Sequence, residues 1–231
     1  MRRVGLIGGL SWESTRLYYD AINRAVAGRL GGAHSAPLIV DSLDFAPIAQ
    51  AQQEGRWDDA SAAIVGSAQR LHRAGVDAVA IASNTMHKCA NAVREAVPLP
   101  LIHIVDPLRE ALANAGRGRP LLLATRFTME QDYIRGPLAE AGIVASIPND
   151  EDRATVHRII YDELIRGTVS ESSRDAFLAI IAAGRDTGAD SVILGCTEIG
   201  LLVEGENSPL PVYDTMVLHS AALADFILYG V

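Results

Sequence analysis

Two short polar turns carry the side chains best suited to moving a proton. In Val192-Ile193-Leu194-Gly195-Cys196-Thr197-Glu198-Ile199-Gly200 a thiol follows an apolar run, behind a glycine that lets backbone or ligand approach closely. A thiol at a strand tip, near the start of a helix, is expected to have its pKa lowered by unpaired N–H groups, which makes Cys196 a candidate proton acceptor near neutral pH. The competing reading is a small buried hydrophobe, the usual fate of an isolated cysteine. The second turn, Ser83-Asn84-Thr85-Met86-His87, presents a hydroxyl. Asn84 and Thr85, with the N–H groups of a strand-to-helix turn, form a candidate carboxylate cradle, although a polar turn uses such residues for its own folding too. Cys89 reads as packing and His87 as a turn or supporting residue. Arg166, ahead of Gly167, reads as a solvated helix-terminal arginine with the reach to meet a distal carboxylate.

Positioning these turns requires strands. Short β-branched apolar runs occur at 4–7, 37–40, 78–82, 101–105, 121–124, 191–194 and 210–213, and amphipathic stretches at 14–30, 58–74, 106–115, 151–166 and 174–187. The alternation predicts an α/β fold with parallel sheet covered by helices. Ser11 is a candidate N-cap, Thr128-Met129-Glu130-Gln131 has capping-box spacing, and Gly75 and Gly188 sit where helices hand over to strands. The segment Asp190 to Glu198 echoes Asp77 to Thr85, each after a Gly-containing turn, at an offset of 196 − 83 = 113 residues. Such a repeat predicts two similar halves, joined near 105–106 and 205–209, whose equivalent strand ends would frame a ligand cleft.

Composition narrows the partners. A formal charge of −8 over 231 residues, without a run of Lys or Arg, argues against nucleic acid. No apolar segment approaches the roughly 20 residues that cross a bilayer, and the start of the chain reads as a first strand rather than a signal peptide, so no membrane partner is expected. Two cysteines, Cys89 and Cys196, make no disulfide scaffold and fit a reducing cytoplasm. The six histidines lack zinc-ligand spacing, so no metal is assigned. Gly5-x-x-Gly8-Gly9 lacks the Gly-x-Gly-x-x-Gly pattern of a dinucleotide site.

The pairing of Ser83-Asn84-Thr85 with Gly195-Cys196-Thr197-Glu198 resembles the two signatures of the cofactor-independent aspartate/glutamate racemase family. Gly5-Leu6-Ile7-Gly8-Gly9-Leu10-Ser11-Trp12-Glu13-Ser14-Thr15 and Thr125-Arg126-Phe127-Thr128-Met129-Glu130-Gln131-Asp132 are similar to that family as well, and Asn84 to Lys88 with Glu198 to Leu202 resemble its broad-specificity bacterial members. The resemblance implies two similar parallel-sheet α/β domains with pseudo-twofold symmetry and the active site between them, here 1–105 plus 211–231 carrying Ser83, and 106–210 carrying Cys196. It implies a small amino-acid substrate, no cofactor and a homodimer. It further implies that Ser83 and Cys196 are the catalytic pair, that Asn84, Thr85 and Thr197 hold the substrate's carboxylate and amino group, that Leu10, Ser11, Gln52 and Thr125 line the pocket, and that Glu198 orients the substrate or the Cys196 side. Most members carry a cysteine where this chain has Ser83. A hydroxyl is a far poorer base than a thiol whose reference pKa is about 8.5, so an enzyme biased toward L-amino acids, or impaired, is expected. A lone second-half thiol also suits an arylmalonate-type decarboxylase, and the missing first thiol suits an inactive amino-acid-binding protein.

Overall fold

A computed structural model describes residues 1–230, which divide into two compact units. Unit 1 comprises Met1–Ile104 with His219–Val231, and unit 2 comprises Val105–Leu218. The chain leaves unit 1 after Ile104 and returns to it within its last helix.

In unit 1, β1 (Val4–Gly8) leads to α1 (Trp12–Leu30), β2 (Leu38–Ser42), α2 (Phe45–Gln53), α3 (Trp57–Arg73), β3 (Ala78–Ile81), a 3-10 turn (Thr85–Cys89) and α4 (Ala90–Ala96). The three strands form a parallel sheet in the order β2-β1-β3, with Ile7 opposite Asp41 on one side and Ile81 on the other. β1 and β3 are buried at every position, as strands covered on both faces must be, whereas the edge strand β2 is half-exposed. α3 buries Ala60, Ile64, Ser67, Ala68 and Leu71, the helical spacing of one apolar face, in the core that also holds Ile7, Ile48, Val79 and Met86. Past β1 the chain turns tightly at Gly9, whose φ is +75° and where a Cβ would stand 2.0 Å from the Leu43 carbonyl oxygen. Only glycine fits there. Ser11 then caps α1 by accepting the Ser14 N–H, as its sequence position predicts.

Unit 2 runs α5 (Val105–Asn114), β4 (Pro120–Leu123), α6 (Arg126–Glu130), α7 (Asp132–Glu140), α8 (Asp150–Asp162), a 3-10 turn (Leu164–Arg166), α9 (Glu171–Asp186), β5 (Ser191–Leu194), a 3-10 turn (Ile199–Leu201) and β6 (Val212–Asp214). The helix α10 (Thr215–Tyr229) carries the chain back to unit 1. This sheet is also parallel, in the order β4-β5-β6.

The two sheets share one plan. β3 is followed beyond its free edge by a parallel bridge between Val79 and Leu101, and β4 is preceded by one between Leu121 and Ser146. The orders become β2-β1-β3-Leu101 and Ser146-β4-β5-β6. β3 and β5 are therefore equivalent, and they start 191 − 78 = 113 residues apart. The hydrogen bonds repeat too: the Asp77 carboxylate accepts the Arg3 N–H and the Asp190 carboxylate accepts the Arg119 N–H, while Ala82 donates to Ile7 and Gly195 to Leu123.

Three local expectations are corrected. The run 101–105 makes a single bridge rather than a strand, because the chain enters α5 at Val105, with Asp106 in its first turn. The cap of α6 is Thr125 rather than Thr128, since Thr125 Oγ1 accepts the Thr128 N–H and Thr128 lies inside the helix. The stretch 151–166 breaks at Glu163, whose carboxylate accepts hydrogen bonds from Ser170 and Ser173, so that 164–166 continue only as a 3-10 turn.

Candidate active site

The candidate side chains of unit 2 gather at one edge of its sheet. Thr125 follows β4, Cys196 follows β5 through Gly195, and Asp214 ends β6, so all three stand at the C-terminal ends of parallel strands, where open α/β sheets bind ligands. Cys196 is 8% exposed. Its Sγ–H donates to Glu198 Oε2 at 3.2 Å, and Thr197 Oγ1 donates to the same oxygen at 2.5 Å. Glu198 is buried with them.

Burial pushes the Cys196 thiol well above its ordinary pKa, and the negative charges of Glu198 and Asp214 act in the same direction. The Glu198 backbone N–H works the other way and is outweighed. The lowered pKa expected from the sequence is thus reversed: the helix after Cys196 is a single 3-10 turn, without the aligned amides that would favour a thiolate, and the nearest charges are negative. Cys196 rests as a neutral thiol bonded to a carboxylate. Asp214 is pushed up to about 6 by burial, against two N–H bonds from Val217 and Met216. Tyr161 is raised to about 12, by burial first and then by Cys196 and Glu198, and keeps its proton.

In unit 1 the corresponding strand end carries Ser83, which is half-buried, and Asn84 and Thr85, which are buried. Ser83 Oγ lies 3.4 Å from the Met86 N–H. Leu10 and Ser11 follow β1 at the same edge of the sheet, and both are buried. Gln52, buried on α2, donates from Nε2 to Met86 Sδ at 2.8 Å, which ties α2 to the turn after Ser83. Cys89 is buried in the core with its pKa raised by burial, in keeping with a packing role, and Arg166 is exposed at the end of its 3-10 turn. Lys88 lies over the Trp57 ring at 3.8 Å.

Sequence reasoning missed Asp214 and Tyr161, both of which interact electrostatically with Cys196. Asp214 had a signal: an acidic residue ending the apolar run 210–213 is a helix N-cap candidate, and its Oδ1 does accept the Met216 and Val217 N–H groups. Tyr161 sits within α8 with no local pattern pointing to the site.

The fold and the strand-tip thiol define a class, and comparison with known proteins gives it a name. A model of the Asp/Glu/Hydantoin racemase family matches residues 7–223. The chain belongs to that family, and it is an isomerase of the racemase type. A solved structure from Yersinia pestis assigned to the Asp/Glu racemases is 44% identical, covers 99% of this chain and 100% of its own, and superposes with a TM-score of 0.91. An aspartate racemase homologue from Pyrococcus horikoshii is 29% identical over 99% of this chain and all of its own, with a TM-score of 0.85. The broad specificity amino-acid racemase RacX of Bacillus subtilis is 19% identical over 98% of this chain and 99% of its own length. No helix among the described residues is long and apolar enough to cross a membrane.

Proposed function

We propose that this protein interconverts the enantiomers of a small amino acid of the aspartate/glutamate type by proton transfer at the α-carbon, with Cys196 acting on the L-substrate and Ser83 serving the opposite face. The observation that carries the reading is the Cys196 thiol at the tip of β5, hydrogen-bonded to a buried carboxylate. In this mechanism Glu198 takes the thiol proton as the thiolate removes the α-proton, and Ser83 Oγ–H gives a proton to the other face of the planar anion. Exchange with solvent then resets both groups. Asn84, Thr85 and Thr197, with neighbouring N–H groups, hold the substrate carboxylate and amino group, and Leu10, Ser11, Gln52 and Thr125 line the pocket. The burial of Leu10, Ser11, Asn84, Thr85, Thr125 and Thr197 after the strands of their own units, and of Gln52 on α2, supports that role. The names of the relatives support an acidic or broader amino-acid substrate.

The L-bias follows from acid strength. Serine is essentially un-ionised at neutral pH, so it delivers a proton better than it removes one, and a D-substrate would need Ser83 as base. Incubation in heavy water with L- or D-aspartate, read as α-deuterium by mass spectrometry, tests this. L-aspartate should exchange faster than D-aspartate by about a hundredfold or more, the order of a single general-base effect. Equal, rapid exchange of both would overturn the assignment of Ser83.

A further inference from the structure

Unit 1 buries a group of imidazoles that the proposed reaction does not consume. His87 donates from Nδ1–H to the Ser83 carbonyl oxygen at 2.7 Å, and its Nε2 accepts the Ile104 N–H at 3.2 Å. A carbonyl cannot donate and an amide N–H cannot accept, so the two bonds together fix a neutral ring in the Nδ1–H form. Ile104 is the last residue of unit 1 before the chain leaves it. His219, the first residue after the return, donates from Nε2–H to the Ile102 carbonyl at 2.9 Å and accepts the Tyr18 hydroxyl at Nδ1, also at 2.9 Å. The His103 ring stands edge-on to His87 at 4.6 Å. The Ser83 turn is therefore held by the departing segment 102–104 through His87, in addition to its own short 3-10 turn.

We propose that His87 is a positioning residue for the Ser83 face of the reaction: without touching substrate, it fixes the Ser83 carbonyl and thereby the place from which Ser83 Oγ delivers its proton. The inference rests on the racemase reading above. An error of about 1 Å in such a group costs on the order of a hundredfold in rate, so a side chain bonded directly to the Ser83 peptide is well placed to control it. Burial holds His87 well below its ordinary pKa, with His103, His219 and Arg94 adding to the effect, so the neutral ring persists through the neutral pH range.

The two faces can be read separately. With L-aspartate in heavy water, deuterium uptake with retention needs only Cys196, whereas inversion needs delivery from the Ser83 side. In His87→Leu the ratio of inversion to retained exchange should fall about tenfold or more while retained exchange and the KM for L-aspartate stay within about threefold. His87→Asn, whose amide nitrogen replaces Nδ1 as donor to Ser83, should restore most of the ratio. His87→Gln, which keeps an acceptor in the place of Nε2, should not. The Asn and Gln variants decide the matter if the Leu variant does not fold. The same set in the Ser83→Cys background, read as exchange of D-aspartate, covers a wild-type inversion too slow to follow. Equal loss of both processes, or an unchanged ratio in every variant, overturns the proposal while leaving the racemase reading intact. Failure of the wild type to exchange either antipode removes that reading, and the inference with it.

Discussion

Cys196 and Glu198 form a donor and acceptor pair: the thiol hydrogen is directed at Glu198 Oε2 across 3.2 Å, within a buried cluster that Thr197 completes. The carboxylate has two opposed effects. Its charge disfavours the thiolate, and its lone pair offers the thiol proton a destination. Glu198→Gln separates them. Without the charge the Cys196 pKa should fall, so that alkylation by iodoacetamide at mildly alkaline pH speeds up. Without the acceptor, exchange of L-aspartate should slow by about a hundredfold. Faster alkylation together with undiminished exchange would show that Glu198 takes no proton.

Asp214 supplies a second negative charge to Cys196, and its folded pKa of about 6 lies above the ordinary 3.8. The folded state binds the extra proton between those values, so the associated stability is complete below 3.8 and is lost as pH rises through about 6. Asp214→Asn keeps a cap acceptor for Met216 and removes the charge. Its urea midpoint should rise above wild type at pH 8, by up to about 3 kcal/mol of stability, and match it at pH 4. The pH profile of Cys196 alkylation should move to lower pH in the same variant. A lower midpoint at pH 8 would mean that the carboxylate's attraction for the N-terminus of α10 outweighs its desolvation.

Much of this architecture is legible in the sequence because parallel strands buried on both faces must be continuously apolar. The runs that became β1, β3, β4 and β5 stand out for that reason, and the offset between Asp77 and Asp190 reflects the same hydrogen bonds made in both units. The elements that escaped notice have equally physical reasons. α10 buries Thr215, His219, Ser220, Leu223, Ala224, Phe226 and Ile227, so its residues show no clean division into apolar and polar faces. α7 contains Pro137, which argues against a helix, and α2 has Pro47 in its first turn. At the candidate site, residue types pointed to Cys196 and Ser83, but the sign of the Cys196 shift depends first on burial, which only the folded chain creates, then on the Glu198 charge, with Asp214, distant in sequence, adding least.

The buried histidines of unit 1 predict acid sensitivity. Burial lowers His219 from 6.5 to about 4, with His103 adding to the effect and the bond to the Ile102 carbonyl opposing it, and His87 is lowered in the same direction. The unfolded chain binds these protons first, so the stability they confer is complete above 6.5 and is lost as pH falls toward 4. A shift of this size corresponds to about 3 kcal/mol for His219 at most. His219→Asn should be less stable than wild type at pH 7.5, because the Tyr18 and Ile102 bonds are disturbed, yet lose less on acidification. Urea midpoints from pH 7.5 to 4 check the slope. Parallel curves for the two proteins would show that His219 is not the group that titrates.

The backbone that presents the thiol leaves no room for a side chain. Gly195 lies between β5 and Cys196, and a Cβ there would stand 2.8 Å from Leu122 Cδ1, 3.0 Å from Ala124 Cβ and 3.3 Å from the Leu123 carbonyl oxygen. Two of these neighbours belong to β4, which pairs with β5 and cannot retreat without breaking that register. Gly195→Ala should therefore cost about 1 to 3 kcal/mol, the range for overpacking a filled core. Because the strain falls on the residue before the thiol, L-aspartate exchange should drop by about tenfold or more in the molecules that remain folded. Gly205→Ala is the matched control, since nothing lies within 4 Å of a Cβ at that position. Denaturation midpoints and exchange rates of the two variants, measured side by side, distinguish a local constraint on Cys196 from a general intolerance of added methyl groups: the former requires loss in the first variant alone, and equal behaviour of both would rule it out.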